Sequence, residues 1–253
     1  MSQLLPAAAA ARLRTLTPAR VGLGRTGVSQ QTRDLLNFHR AHAQARDAVH
    51  ARLDAASLAA ELARIAGGSV VRLHSAAPDR ATYLQRPDLG RMLDEPSRAA
   101  LAALAPMPCD VALIVADGLS ALAVERHAPA LIEALLPRLA GWRLAPVAVV
   151  EQGRVAIGDE IGAALGAQLA VVLIGERPGL SAPDSLGVYL TWQPRPGRQD
   201  AERNCISNIR AEGLSYTQAA AQLAWLMAEA RRLQLTGVAL KPSGPLLAQG
   251  DLV

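Results

Sequence analysis

Three short segments each set an acid beside a turn at the end of an apolar run: Asp117-Gly118-Leu119-Ser120, Glu151-Gln152-Gly153-Arg154-Val155 and Gly175-Glu176-Arg177-Pro178-Gly179. A carboxylate at such a turn accepts hydrogen bonds, so three on one rim suit a polar ligand rich in N–H donors. For any one of them alone, a solvated loop tip is the competing reading. The other reactive side chains do not assemble into a catalytic set. His39 and His42 stand three apart without a carboxylate or cysteine at ligand spacing, which predicts partly buried packing residues and no metal. His127 follows Arg126 in a helical stretch and is expected at the surface. Cys205, within Asn204-Cys205-Ile206-Ser207-Asn208-Ile209, sits in a polar–apolar alternation that reads as strand. No histidine stands near to activate its thiol, which favours a contact role over a nucleophile. Gly22-Leu23-Gly24-Arg25-Thr26-Gly27 spells GxGxxG, but the preceding Arg14 to Arg20 does not read as a buried strand, so a glycine-rich turn is expected there. The strings GxxxxGK[ST], HExxH and GxSxG are absent.

The elements that must position these loops follow from periodicity. Val111 to Val115, Pro146 to Val150 and Leu169 to Ile174 are continuous apolar runs separated by segments of helical period, the pattern of buried parallel strands. Between the last two, Asp159 and Glu160 open a helix at the positive end of its dipole, Ile161 and Leu165 give it an apolar face, and Gly166 closes it. A further strand is expected over Leu186 to Trp192. A last helix starts at Ser215, capped with Gln218, and carries Arg231 and Arg232 before Gly237. Upstream, Ser29 to about Ala66 reads as helical, with Leu35, Phe38, His42, Ala45 and Val49 on one stripe. Gly67-Gly68-Ser69 breaks the pattern, with a second break near Pro106-Met107-Pro108. The expected organisation is an N-terminal helical region over 1–68 and an α/β domain over 69–253, a doubly wound, mostly parallel Rossmann-like sheet. In such a sheet ligands bind outside the carboxyl ends of the strands, where the three acidic loops fall.

Composition narrows the class. With 253 residues, 51% of them hydrophobic and 19% charged, the chain is long and apolar enough for a large core. No apolar run approaches the ~20 residues of a membrane helix. The formal charge of +4 comes almost entirely from dispersed arginines, since Lys241 is the only lysine, and aromatics are 3%. That argues against nucleic-acid binding. Cys109 and Cys205 make neither a disulfide framework nor a zinc motif, so a reducing cytoplasm is expected. Met1 to Leu16 lacks the pattern of a secretory signal, although Ala7 to Leu16 can form a short amphipathic helix.

Several longer strings occur together in order: Ala19-Arg20-Val21, Gly24-Arg25-Thr26-Gly27, the run DRATYLQRPDLGR over 79–91, Asp117-Gly118-Leu119-Ser120-Ala121, Gly175-Glu176-Arg177-Pro178-Gly179-Leu180 and Cys205-Ile206-Ser207-Asn208-Ile209. By these the chain resembles the small (light, β) subunit of ethanolamine ammonia-lyase, over about residues 12–240. The resemblance implies a hetero-oligomeric, adenosylcobalamin-dependent lyase that turns ethanolamine into acetaldehyde and ammonia by a radical mechanism. It further implies that the large (heavy, α) barrel subunit carries the substrate site while this chain helps enclose the cofactor. The family's cobalamin contacts carry over to Val155, Glu176 and Cys205, with no catalytic residue and no protein ligand to cobalt in this chain. The absence of a DxHxxG string fits a cobalamin that keeps its own benzimidazole as lower ligand. A bacterial microcompartment or the cytoplasm is the implied location. Some family members carry a longer N-terminal extension associated with packaging, whereas this chain reaches its first motif within about 20 residues and offers Ala7 to Leu16 as a reduced tag. Leu180, Leu186, Val188 and Trp192 are candidates for an apolar patch facing the partner. The competing class is a self-sufficient α/β protein binding a nucleotide or sugar at the same loops.

Overall fold

The computed structural model describes residues 7–17, 19–104 and 108–241; most of the second candidate break, near Pro106, lies outside them. Six strands form the central sheet: β3 (Val70–His74), β4 (Cys109–Ala116), β5 (Val147–Glu151), β6 (Ala167–Gly175), β7 (Leu186–Trp192) and β8 (Arg203–Ile209). Their spatial order is β3-β5-β4-β6-β7-β8. The first four in that order run parallel, while β7 runs antiparallel to β6 and β8 antiparallel to β7. Every residue of β4 is buried, as the uninterrupted apolar run required of a strand covered on both faces.

Successive β4 side chains feed two different cores, because side chains alternate across a strand. Val111, Leu113 and Val115 pack with Leu58 and Leu62 of α3 (Ala55–Ala66), Leu131 and Ile132 of α6 (Ala121–Leu135), and Leu223 and Leu226 of α8 (Tyr216–Leu233). Ala112, Ile114 and Ala116 pack with Leu101 of α5 (Glu95–Ala102) and with Ile157 and Ile161 of α7 (Ile157–Ala164). The chain leaves β4 through α6 toward β5 on one side, then leaves β5 through α7 toward β6 on the other. The layer is therefore doubly wound, and its topological switch lies at the carboxyl end of β4. Leu186, Val188 and Trp192 belong to the α8-side core and are not a partner-facing patch; of that group only Leu180 is exposed. With Leu190 they alternate inward on β7, whose intervening Tyr189 packs on the α7 side. The capping box of α8 is present, with Ser215 Oγ accepting from the Gln218 backbone N–H and the Gln218 side chain accepting from the Ser215 N–H. That helix stops at Gln234, which takes the left-handed conformation at φ 55°, before Gly237 is reached.

The stretch expected as one helix over 29–66 is two, α2 (Thr32–His50) and α3. Ala51 is extended, and Asp54 restarts the helix by accepting the Ser57 N–H at 3.0 Å. Although α3 precedes residue 68, Leu58 and Leu62 are part of the sheet's core. By contrast α2 buries only Ala41 and Ala48. Its apolar stripe has no sheet to face, so Phe38 is 39% exposed, and His39 and His42 are solvent-exposed where partial burial was expected. Before it lie α1 (Ala7–Leu16) and a small hairpin of β1 (Arg25–Thr26) and β2 (Ser29–Gln30). The GxGxxG string is thus a turn: Gly27, at φ +64°, sits between the two hairpin strands.

Candidate functional site

A cavity of about 390 Å³ opens at the carboxyl edge of the sheet, with Gly118, Arg154, Val155, Glu176, Tyr83 and Tyr189 in its wall. Three successive loops, after β4, β5 and β6, each contribute to it. Val155 and Glu176 are thereby brought together. Cys205 is not in the lining; it lies on β8 and registers against Tyr189, which is. Cys205 is exposed along the sheet edge. Desolvation of its sulfur pushes the thiol above its ordinary value, against a hydrogen bond with Tyr189 that lowers it. Such a thiol stays protonated at neutral pH, which suits contact and not nucleophilic attack.

Glu176 is held by its own loop and by β8. Its backbone N–H donates to Ser185 O at 2.9 Å. Its Oε2 accepts from Ser185 Oγ at 2.5 Å and from the Asn208 N–H at 3.2 Å. The carboxylate lies over Gly187, where a Cβ would come within 3.0 Å of Oε1. Among the described residues Oε1 has no hydrogen-bond partner. The arrangement fixes one oxygen and leaves the other for a ligand donor.

The other two acids do not share this rim. Asp117 is 1% exposed and works inside the scaffold: its Oδ1 accepts the Gly153 N–H at 3.0 Å and its Oδ2 faces Arg80 Nη1 at 3.5 Å. Burial raises its carboxyl to about 6, with the Arg80 charge opposing the shift. Glu151 registers against His74 of β3, away from the cavity. The rim acid is Glu176 alone, because Arg80, which the sequence places far from Asp117, draws that carboxylate inward.

Part of the wall belongs to an assembly that sequence reasoning did not single out. Tyr83, in α4 (Arg80–Gln85), is fully buried and donates from its hydroxyl to Gly153 O at 3.1 Å. Its ring carries the Arg80 guanidinium at 4.7 Å and the Arg154 guanidinium at 4.2 Å. Arg80 also donates to Gly118 O, Gln152 Oε1 and Val49 O. The only sequence sign of this assembly was the run over 79–91, which has no local period to explain its tyrosine and arginine. His127, expected at the surface, is 5% exposed, with Nδ1 2.8 Å from the Tyr216 hydroxyl and Nε2 3.6 Å from Asp184. It sits where α6 meets the start of α8. Among the described residues no group of three or more His, Cys, Asp or Glu is placed to hold a metal ion.

A family profile described as Ethanolamine ammonia-lyase light chain (EutC) matches residues 7–241. The chain belongs to that family. An ethanolamine ammonia-lyase small subunit from Ralstonia nicotianae is 59% identical over 245 residues, covering 94% of this chain and 90% of the relative. Those from Pseudomonas aeruginosa and Xanthomonas campestris pv. campestris are 58% and 57% identical, covering 93% and 96% of this chain and 88% and 91% of the relatives. The span matched to the light-chain family takes in the whole cavity wall, and the helical arm α1–α2 as well. Among this light chain's described residues no helix is long and apolar enough to cross a membrane.

Proposed function

We propose that this chain is the small subunit of a two-subunit ethanolamine ammonia-lyase, and that it encloses adenosylcobalamin with Val155, Glu176 and Cys205 while a large subunit holds ethanolamine. The names carried by its relatives support the activity, and "small subunit" implies the partner. The observation that carries the cofactor reading is the free Oε1 of Glu176 on a wall shared with Val155. A corrin periphery bears primary amides, whose N–H groups need such an acceptor. Span supports the same ligand. Val155 follows β5, Glu176 follows β6 and Cys205 lies on β8, so the three residues come from three different strands along the sheet edge. A spread of contacts over several strands suits a macrocycle laid across the edge. The cavity accepts only the ligand's margin, which leaves the rest for the partner.

When bound, adenosylcobalamin supplies a cobalt–carbon bond whose homolysis starts radical chemistry on the substrate. The residues of this chain bind, orient and shield. Glu176 takes an amide N–H, Val155 and Tyr189 exclude water from the edge, and Cys205 permits close approach beside Tyr189. Conversion of ethanolamine to acetaldehyde and ammonia then proceeds on the partner's side, in the cytoplasm or a bacterial microcompartment, for which α1 is the candidate tag. The test is Glu176→Gln in the assembled two-subunit enzyme, with cyanocobalamin binding followed by its visible spectrum. A loss of about tenfold in affinity is expected, the worth of one charge-assisted hydrogen bond. An unchanged dissociation constant removes Glu176 from the site.

A further inference from the structure

We infer that Arg154 is a second cobalamin-reading residue, donating to the carbonyl oxygen of a corrin carboxamide while Glu176 accepts from the nitrogen of that same group. The inference rests on the cobalamin reading and concerns a residue that reading does not use. Its ground is how much of the structure holds one guanidinium at the cavity wall. The Arg154 backbone N–H donates to Gly90 O at 2.7 Å, and a Cβ on Gly90 would fall 2.8 Å from Arg154 Cγ and 3.0 Å from Tyr83 Cε2. Gly90 therefore has to be small for the arginine stem and the tyrosine ring to meet over it. The guanidinium lies 4.2 Å from the centre of the Tyr83 ring and donates from Nη2 to Tyr83 O at 3.2 Å. Tyr83 is fully buried and its ring also carries Arg80, which is itself tied to Asp117 and Gly118.

Against this seat, the donors of Arg154 are largely unused. Its Nε is buried without a hydrogen-bond partner, and among the described residues Nη1 has none and no carboxylate forms an ion pair with it. A buried donor left unmade is costly, so a guanidinium held this firmly with free N–H groups is built for an incoming acceptor. The acceptor's class follows from the neighbour. Glu176, on the same wall, has a free Oε1 and would repel an anion such as a phosphodiester. A primary carboxamide satisfies both, one oxygen for the arginine and one N–H for the glutamate. The pairing also gives selectivity: a corrinoid whose amide at this position is hydrolysed to a carboxylate meets Glu176 with like charge.

The test uses the enzyme assembled with its large subunit and the unreactive corrinoids cyanocobalamin and cyanocobinamide, the second lacking the nucleotide loop and its phosphodiester. Arg154→Met is expected to weaken both by about 10- to 100-fold. The double variant with Glu176→Gln should lose less than the product of the single losses, because both residues hold one group. Arg154→Lys, which keeps the stem over Tyr83 and the charge, should lose severalfold and serves if the methionine variant does not assemble. Wild-type affinity in either arginine variant overturns the inference, as does a loss confined to cyanocobalamin, which would assign Arg154 to the phosphodiester. If Glu176→Gln weakens binding and the arginine variants do not, this inference alone fails. If neither position matters, the cobalamin reading of the cavity fails with it.

Discussion

Replacing Asp159 by alanine should destabilise the chain by more than any comparable surface change. Asp159 stands in the first turn of α7, and its carboxylate meets Arg203 of β8 in a two-pronged pair at 2.6 and 2.7 Å. The two side chains are 3% and 2% exposed. Arg203 also donates to Thr191 Oγ1 and to Arg198 O, both at 2.9 Å. Removing the carboxylate leaves a buried cation with two of those four bonds and, as counter-charge, only the exposed Asp200 at 3.6 Å from Nε, a loss of about 3–5 kcal/mol. For a chain of this size each kcal/mol moves the midpoint by about 2–4 °C, so thermal unfolding followed by circular dichroism should shift down by about 6–20 °C. The pair Asp159→Leu with Arg203→Met removes both charges and should recover most of that loss. A shift below about 3 °C for Asp159→Ala, or a double variant as unstable as the single one, would refute the reasoning.

Two further outcomes concern the turns that hold the cavity. Burial raises the folded-state pKa of Asp117 from 3.8 to about 6, so its contribution favours the fold fully below about pH 4 and is lost as pH rises through about 6. A displacement of about two pH units corresponds to about 3 kcal/mol, so the stability of the wild type relative to Asp117→Asn should fall by up to that amount between pH 4 and pH 7. Urea midpoints at the two pH values measure it, and an unchanged difference contradicts the assignment. Gly175→Ala would place a Cβ 2.1 Å from Ser120 O and 2.6 Å from Asp117 O. It should cost about 1–3 kcal/mol in urea and weaken cyanocobalamin binding by the assembled enzyme, and wild-type values of both would show that the turn tolerates a methyl group.

What the residues disclosed and what they concealed divide along the range of the interactions. The apolar runs that mark β4, β5 and β6, the stretch Leu186 to Trp192 and the Ser215–Gln218 cap are local patterns, and each appears where its period or cap placed it. β3 escaped notice because an edge strand buries little; of its five residues only Leu73 is fully buried. The break between α2 and α3 escaped as well, since no glycine or proline marks it and Asp54 serves as a cap only once Ala51 is extended. Asp117 resembled a rim acid because its partner comes from α4, and His127 resembled a surface residue because Tyr216, 89 positions away, is what covers it. In the cavity, the loops bearing Val155 and Glu176 were visible as strand ends. The Arg80–Tyr83–Arg154 stack behind them was not, because Tyr83 reaches Gly153 across 70 positions.

The turns after β4 and β6 meet backbone to backbone. Gly118, at φ +57°, leaves no room for a Cβ, which would fall 2.3 Å from Gly175 O; that oxygen accepts the Leu119 N–H at 2.9 Å, and Ser120 Oγ donates to Pro183 O at 3.0 Å. Two segments stitched in this way behave as one stiff plate, with α6 rooted in it. A guest arriving at the plate finds its footing already set and need not organise it, so little of the gain from contact is diverted into ordering the protein. Under the proposed function, adjustment to the size and tilt of that guest then falls to the large subunit.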